Sequence, residues 1–278
     1  MNAKGGVGKS TLVLALAEAL AVHHSKKVLV IDSDAHASVS NMLMAPPRLA
    51  TVQDQGRTVV DYFAAIVLNG TAANWSRFVV GGVSDVDDAR SIDLLSGGGH
   101  LTLFEREVSG GRLEPVLRRA VRLFLAEACK AYDLILIDSA PGLSVLTECW
   151  LREAQYYLSP TKPDYISSRG LQFLGQFKQR DLNRGFAQFL GVVINMKDPN
   201  SMIDEQYEVW LRQNAQNRCF EQPIRRSSAL QSAAHFHPRP RSYWAKYPGD
   251  IGQELRQLTS ELLVRVGSEA VWSSAVQE

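Results

Sequence analysis

The sequence is poor in three features, and each absence excludes a class of protein. It has three widely spaced cysteines, Cys129, Cys149 and Cys219, and no CxxC pair, so we expect neither a disulfide framework nor a cysteine metal site. No stretch reaches the roughly 18 apolar residues that a membrane-spanning helix needs. The formal net charge is only +1, so any nucleic-acid surface must be a local patch. These absences favour a globular protein of the reducing cytoplasm.

The apolar residues that are present alternate between helical and strand patterns. Alanines and leucines at helical spacing predict a helix over residues 9–24, and Val28–Ile31 before Asp32 predicts a buried parallel strand. Leu134–Ile137 before Asp138 repeats that strand. Further predicted elements are strands in AQYYLSPTKP and FLGVVINMKD, a strand and helix in SIDLLSGGGHLTLFEREV within an otherwise less regular stretch 46–111, a helix in LEPVLRRAVRLFLAEACKAY and a last helix over 249–266. We therefore predict an α/β fold, a mostly parallel twisted sheet with helices on both faces, in a single domain over residues 1–278.

The first ten residues, MNAKGGVGKS, concentrate glycine and lysine. Their end, Gly8-Lys9-Ser10, matches the phosphate-binding loop G-x-x-x-x-G-K-[ST], although Ala3 stands where the first glycine belongs. Glycines allow positive φ angles and a close approach of backbone amides to an anion, and the following helix adds its dipole. Lys9 then reaches the β- and γ-phosphates, and the Ser10 hydroxyl suits Mg²⁺. The predicted nucleotide-binding residues of this loop are Lys4, Gly5, Gly6, Val7, Gly8, Lys9, Ser10 and Thr11.

The second lysine makes the loop resemble a known family. The stretch from Lys4 to Ser10 is similar to the deviant Walker A motif, K-G-G-x-G-K-[ST], of the ParA/MinD group of P-loop ATPases. The resemblance implies that Lys4 crosses a dimer interface to the partner's nucleotide, so that ATP holds a homodimer together. A positive charge from a second subunit neutralises phosphate charge as an arginine finger does. The resemblance also implies a P-loop NTPase fold, ATP and Mg²⁺ as ligands, Lys4 and Lys9 as catalytic residues, and slow hydrolysis of ATP to ADP and phosphate.

Two carboxylates after the first strand extend the resemblance. VLVIDSDAHAS is similar to the family segment D-x-D-P-Q-G, with Asp32 and Asp34 at its carboxylate positions. The match implies that Asp34 is catalytic and orients the attacking water, and a simple turn cap is the alternative. Ala35 and His36 replace the family's proline and glutamine, which leaves the geometry of this segment open. A lone loop histidine such as His36 is more often solvated than a catalytic base.

Three later segments also resemble the family. Asp138 ends the strand of YDLILIDSAPGLS, which resembles a Walker B region, and a carboxylate at that edge can hold Mg²⁺ through water. In LGVVINMKDPN, Asn195 takes the place of a residue that contacts adenine, with a turn-forming asparagine as the alternative. The segment EQPIRRSSALQSAAHF resembles the part that closes over the base. The predicted metal ligands are Ser10 and Asp138.

The resemblance also points to a missing strand. Relatives usually begin with an apolar strand before the phosphate-binding loop, and Met1 leaves no room for one. Either upstream codons supply that strand or the sheet has a gap, and we expect the first. Because a central parallel strand is buried on both faces, a chain without it should be poorly stable.

Basic residues recur late in the chain, among aromatic ones. Partition members of the family bind DNA without sequence preference, and a local basic patch is enough for that even in a nearly neutral molecule. The candidate DNA-binding residues are Arg225, Arg226, Arg239, Arg241 and Lys246. A solvated surface is the commoner interpretation of such residues. The resemblance further implies a ParB-like adaptor that stimulates hydrolysis, and a cytoplasmic, nucleoid-associated protein that positions DNA or another cargo.

Three alternative functions require features that the sequence can be checked for. A MinD-like membrane-cycling ATPase needs a basic amphipathic C-terminal helix, whereas the tail GSEAVWSSAVQE has no lysine or arginine, so we expect no membrane partner. A reductase similar to the nitrogenase iron protein needs cysteines flanking a cluster, and Cys129 and Cys149 lack its glycine-rich setting. A nucleotide-binding scaffold without hydrolysis would lack the switch carboxylate, and Asp34 is present.

Overall fold

The strands form two separate parallel half-sheets. The computed structural model describes residues 1–2, 4–109, 111–180 and 185–275. The strands in these ranges are β1 Val28–Ser33, β2 Ile92–Leu95, β3 Leu134–Ser139, β4 Tyr156–Thr161, β5 Gln188–Lys197 and β6 Ile224–Arg225. The first half-sheet has the order β2-β1-β3 and the second the order β4-β5-β6, and each pairing between these strands is parallel.

Helices connect the strands. They are α1 Lys9–His24, α2 Ser38–Leu43, α3 Pro46–Asp54, α4 Val59–Val67, α5 Leu101–Val108, α6 Glu114–Ala128, α7 Val145–Glu153, α8 Tyr165–Arg180, α9 Met202–Gln213, α10 Ser228–Ala233, α11 Tyr243–Lys246 and α12 Asp250–Ala275. The predicted helix over residues 9–24 is confirmed, while α2, α3 and α4 lie in or beside the stretch that the sequence presents as less regular. Across the described ranges, no helix combines the length and the hydropathy that crossing a membrane requires.

β1 is enclosed by helices on both of its faces. All six of its residues are buried, and alternate side chains point to opposite faces. Val28 and Val30 pack in a cluster with α1 and α12, whereas Leu29 and Ile31 pack with α4, α6 and α7. The expected parallel sheet with helices on both faces is therefore confirmed for this part of the molecule.

A cleft of about 520 Å³ separates the two half-sheets. Its walls come from β3, β4 and the helices α1, α6, α7 and α12. Met1 lies in this cleft, where its amino group donates a hydrogen bond to the carbonyl of Leu158. Among the described residues no strand pairs with β3 or β4 along the cleft. Within the described residues, no strand joins the two half-sheets at this place, and the expectation that upstream residues supply one stays a prediction.

Candidate nucleotide-binding site

The carboxyl ends of the strands and the start of α1 meet at one edge of the half-sheets. β1 and β3 run in register, with Asp32 opposite Asp138. The segment before α1 contacts two strands of the second half-sheet. Asn2 donates a hydrogen bond to Thr161 at the end of β4, and the carbonyl of Val7 accepts one from Asn195 of β5. Open parallel sheets bind ligands at this edge. The structure thus brings the predicted loop, the carboxylates and Asn195 together.

The glycines of the loop adopt backbone angles that other residues rarely take. Gly6 has a φ of +72° and Gly8 a φ of +81°, both in the left-handed region that favours glycine. Gly8 is also the N-cap of α1, and no side chain caps that helix. The first backbone N–H groups of α1 therefore face the loop, which is the arrangement that binds anions at helix N-termini.

Asn195 supports the loop from β5. Its amide Nδ2 donates a 2.8 Å hydrogen bond to the carbonyl of Val7, and both residues are buried. A Cβ atom at position 8 would lie 2.6 Å from that nitrogen, so the position requires glycine. The sequence predicted an adenine contact for Asn195, which remains a prediction. It missed this structural role, since the hydrogen bond joins residues 188 positions apart.

A small cavity adjoins the loop. It measures about 70 Å³, and its walls include Gly8, Thr11 and Asn195. The opposite wall comes from β6 and α10, within the segment that the family resemblance assigned to the nucleotide base. The predicted loop and the predicted base segment therefore face one another across a single cavity.

Lys9 lies among the carboxylates of the site. Its ammonium donates a 3.2 Å hydrogen bond to the carbonyl of Lys4. Burial lowers the pKa of Lys9, and the charges of Asp138 and Asp34 act in the opposite sense. The predicted cation and both predicted carboxylates are therefore close enough to interact.

Asp32 and Asp138 lie side by side but differ in their partners. Burial raises the pKa of Asp32 to about 7 and that of Asp138 to about 6. Asp32 accepts hydrogen bonds from the backbone N–H and the hydroxyl of Ser40, at 2.9 and 2.6 Å. In the part of the chain that is described, neither oxygen of Asp138 meets the geometry of a hydrogen bond, although the Ser10 hydroxyl lies near enough to lower the pKa of this carboxyl. A buried carboxylate that lies near Ser10 and Lys9 without a hydrogen bond of ordinary geometry fits Mg²⁺, which takes one or two carboxylates together with water and substrate phosphates.

Asp34 follows β1 and contacts the histidine two residues later. Its Oδ1 accepts hydrogen bonds from the backbone N–H and from Nδ1 of His36, both at 2.9 Å. The side chain of Asp34 is 12% exposed, whereas that of His36 is 87% exposed. The residue that replaces the family's glutamine therefore holds the carboxylate, a contact that the sequence interpretation of His36 missed.

Lys4 is bound within its own chain. Its ammonium donates to both carboxylate oxygens of Asp164 at 3.2 Å and to the hydroxyl of Ser167 at 3.1 Å. The family resemblance predicts instead a Lys4 that reaches a partner subunit. Asp164 and Ser167 are absent from the predicted site because they lie 160 and more positions from Lys4. Asp164, directly before α8, is a residue type favoured at helix N-caps, which is the local signal for this position.

The prediction that Lys246 contacts DNA is wrong. The Lys246 side chain is fully buried, and its ammonium donates to Glu18 at 2.8 Å and to Asp85 at 2.5 Å. Tyr247 donates to the same Glu18 at 2.6 Å. Lys246 therefore belongs to a buried network that joins α11 to α1, and its charge is compensated inside the protein.

The four candidate arginines differ in their salt bridges and in their exposure. Arg241 is paired with Asp85 at 2.9 Å. Arg225 is paired with two carboxylates of α12. Arg226 and Arg239 are exposed, so they are the two candidates that retain an accessible position.

Comparison with known proteins places the chain in a family. Residues 1–186 match the model of a family described as AAA domain. The chain belongs to this family. The AAA-domain chain is 27% identical over 266 residues to a ParA family protein of Chlamydia trachomatis, with 94% of each covered. It is 26% identical to the chromosome-partitioning ATPase Soj of Thermus thermophilus, with 95% of this chain and 94% of Soj covered. The expected ParA-like P-loop ATPase relationship is confirmed.

Solved structures resemble this AAA-domain chain in fold. Cobyrinic acid a,c-diamide synthase from Mycobacterium smegmatis, with bound ATP analog and magnesium, has a TM-score of 0.71 at 22% identity, covering 97% of this chain and 94% of that one. The pNOB8 ParA bound to nonspecific DNA has a TM-score of 0.68 at 20% identity, covering 96% of this chain and 97% of that one. These likenesses confirm the predicted α/β fold of a P-loop NTPase.

Proposed function

We propose that this chain binds ATP with Mg²⁺ and hydrolyses it slowly, as a dimerising switch of the partition ATPase type. The observation that carries the proposal is the buried Asp138 carboxylate, which lies near Ser10 and Lys9 without a hydrogen bond of ordinary geometry, beside a loop whose glycines adopt positive φ. Two relationships support it. A relative is a chromosome-partitioning ATPase, and a neighbour in fold holds an ATP analog and magnesium.

Different residues of the site bind the phosphates, hold the metal and orient the attacking water. The phosphates lie along the backbone amides of residues 5–8 and the start of α1, and Lys9 turns from the Lys4 carbonyl to the β- and γ-phosphates. Ser10 and Asp138 would hold Mg²⁺, the latter through water. When bound, Mg²⁺ supplies positive charge against the charge that develops on the phosphate oxygens. Asp34, held by His36, orients the water that attacks the terminal phosphate, with ADP as the leaving group.

The proposed switch also needs a second copy of the chain and a cargo. Lys4 completes the site of the partner subunit, so the homodimer depends on ATP. Arg226 and Arg239 are the accessible candidates for DNA backbone contacts, and the likeness to a ParA bound to nonspecific DNA supports that role. A ParB-like adaptor would set the rate of hydrolysis.

The test is phosphate release by the purified chain with ATP and Mg²⁺, with and without nonspecific duplex DNA. Lys9→Ala should abolish nucleotide binding. Asp34→Ala should bind nucleotide normally but hydrolyse it about 100-fold more slowly, the lower end of the contribution of a positioned acid or base. Lys27→Ala is the matched control, because this exposed lysine lies next to the amino end of β1, at the opposite edge.

Two outcomes would contradict the proposal. Wild-type hydrolysis by Asp34→Ala would remove the assigned role of that carboxylate. Nucleotide binding without any phosphate release, even with DNA, would support a nucleotide-binding scaffold instead. For the dimer, Lys4→Ala should bind nucleotide as a monomer, and sedimentation with ATP should show no dimer.

A further inference from the structure

The backbone of Lys4 is fixed to the end of β4. Its N–H donates a 2.9 Å hydrogen bond to Oδ1 of Asn2. The Asn2 amide is buried and donates in turn to the carbonyl of Pro160 at 3.0 Å and to Oγ1 of Thr161 at 3.2 Å. The loop therefore starts from an anchored residue, and the Lys4 side chain reaches α8 from a defined position.

The group that receives the Lys4 ammonium is fixed as well. Asp164 immediately precedes α8, and its Oδ1 accepts a 2.6 Å hydrogen bond from the backbone N–H of Ser167, which is the geometry of an N-cap. Ser167 is buried. Burial acts to raise the pKa of Asp164, but the hydrogen bonds from Ser167 and Lys4 outweigh it and hold that pKa below its usual value. The contact therefore joins two charged groups at neutral pH.

Every hydrogen of the Lys4 ammonium has an acceptor in this position. An ammonium group has three donors, and the three acceptor atoms are the two oxygens of Asp164 and the hydroxyl of Ser167. A phosphate held by another subunit could be contacted only after these bonds open.

We infer that Asp164 and Ser167 form a cis latch, which holds Lys4 in its own protomer until ATP-dependent dimerisation draws it away. The inference rests on the proposed function, because it takes the partner's nucleotide as the second position of Lys4. The latch makes the nucleotide-free protein a monomer with its bridging lysine withdrawn, and it raises the ATP concentration that dimerisation requires.

The exposure of the latch sets the size of its effect. The side chains of Lys4 and Asp164 are 28% and 40% exposed, and ion pairs exposed to this degree shift an equilibrium by about twofold to fivefold. The latch must open before Lys4 reaches its second position. The ATP concentration at the midpoint of dimerisation should therefore change by the same factor.

The test is the midpoint of dimerisation of the full chain in a titration with a slowly hydrolysed ATP analogue and Mg²⁺, followed by sedimentation. Asp164→Asn removes the charge but keeps the helix cap, since asparagine caps as well as aspartate. We expect its midpoint to fall about threefold, and that of Ser167→Ala to fall by a smaller factor. Asp204→Asn is the matched control, because that carboxylate bonds to Ser201 in the first turn of α9, and its midpoint should not change.

Thermal unfolding separates the latch from a general loss of structure. An unchanged or raised midpoint in both Asp164→Asn and Ser167→Ala, with normal unfolding, would overturn the latch and leave the proposed function intact. Dimerisation of Lys4→Ala at the wild-type midpoint would instead overturn the proposed role of Lys4. The double variant Lys4→Ala/Asp164→Asn should behave as Lys4→Ala alone, and a further effect of Asp164→Asn there would also overturn the latch.

Discussion

The two half-sheets consist of similar parallel strands but are enclosed to different degrees. On the face covered by α1 and α12, buried residues of both half-sheets belong to one cluster. On the opposite face the first half-sheet is covered by an aromatic and aliphatic cluster from α4, α6 and α7. Within the described ranges, the separate cluster of the second half-sheet has three buried members, Val192, Ile194 and Leu211, with Leu171, Phe189 and Cys219 packed against them. One half is therefore a rigid support, while the other is held mainly from one side.

The candidate site takes different parts from these two supports. The carboxylates Asp32, Asp34 and Asp138 come from the well-enclosed half-sheet, whereas Asn195 and the Asp164 contact come from the other. Elements that move in function are usually drawn from regions of low local stability. We therefore expect the carboxylates to keep their positions while the lysine contact rearranges.

The largest expected effect concerns the cluster that covers the first half-sheet. Phe124 is 1% exposed, and its ring contacts four other aromatic rings. Phe124→Ala should lower the free energy of unfolding by about 4 kcal/mol. Phe189→Ala is the matched change on β5, where the half-buried ring stacks on Tyr157 at 4.9 Å, and it should cost about half as much. Urea unfolding measures both, and equal losses would show that the half-sheets are equally well supported.

The next largest effect on stability concerns the buried network of Lys246, Glu18 and Asp85, on the side of the sheet that α1 and α12 cover. Lys246→Ala leaves Glu18 and Asp85 without their common cation, and removing one partner of a buried ion pair costs about 3 kcal/mol. The value should lie at the lower end of the range for such pairs, since Tyr247 still donates to Glu18. Urea unfolding of Lys246→Ala and of Lys246→Met checks this. If Lys246→Ala lowered the free energy of unfolding no more than Lys27→Ala, a change at an exposed lysine, Lys246 would be solvated and the buried network would be contradicted.

The carboxylates of the first half-sheet should make stability fall as pH rises. Because the folded-state pKa of Asp138 is raised to about 6, its stabilising contribution is present below the unfolded-state pKa and is lost as pH rises through about 6. Without nucleotide or Mg²⁺, Asp138→Asn should therefore be more stable than wild type at pH 8, by about 3 kcal/mol, and nearly equal to it at pH 4. Urea unfolding across this pH range provides the measurement.

Asp164, beside the second half-sheet, should show the opposite dependence of stability on pH and serves as a control for Asp138. The pKa of Asp164 is lowered in the folded state, so its contribution is present at neutral pH and is lost as pH falls through that lowered pKa. Solvent screening keeps the loss in Asp164→Asn below about 1 kcal/mol at pH 7. A stabilising effect of Asp164→Asn at pH 8 would contradict the assigned contacts, as would a destabilising effect of Asp138→Asn.

The smallest effect on stability should come from the exposed arginines. The pair of changes Arg226→Ala and Arg239→Ala should alter the free energy of unfolding by no more than about 0.5 kcal/mol. The salt dependence of DNA binding with ATP should nevertheless weaken by about one unit of slope for each arginine that contacts a phosphate. Binding measured across a salt series tests this, and an unchanged slope would exclude both residues from the DNA contact.

Local patterns were sufficient to predict the first half-sheet and its loop. The helix over residues 9–24 and the strands ending in Asp32 and Asp138 follow from short runs of apolar residues, and their bounds agree closely with α1, β1 and β3. A local signal also marks α4, whose start has a capping box of Thr58 and Asp61. Apolar spacing alone did not reveal that helix, because its surroundings lack a regular period.

Contacts between distant positions could not be predicted in this way. Lys246 looks like a surface cation in the sequence, since nothing local shows that Glu18, 228 positions away, folds against it. Lys4 and Asp164 are separated in the same way. Charge patterns reveal which groups exist, whereas the fold determines which of them are buried together.

The unpaired edges of β3 and β4 along the cleft have a consequence for handling this polypeptide. Backbone groups that no neighbouring strand occupies are templates for strands of other chains, and such pairing leads to aggregation. A polypeptide of residues 1–278 should therefore form intermolecular β-structure through this cleft, when concentrated or warmed, before the interior around β1 melts, and dilute, cold storage should preserve it longest.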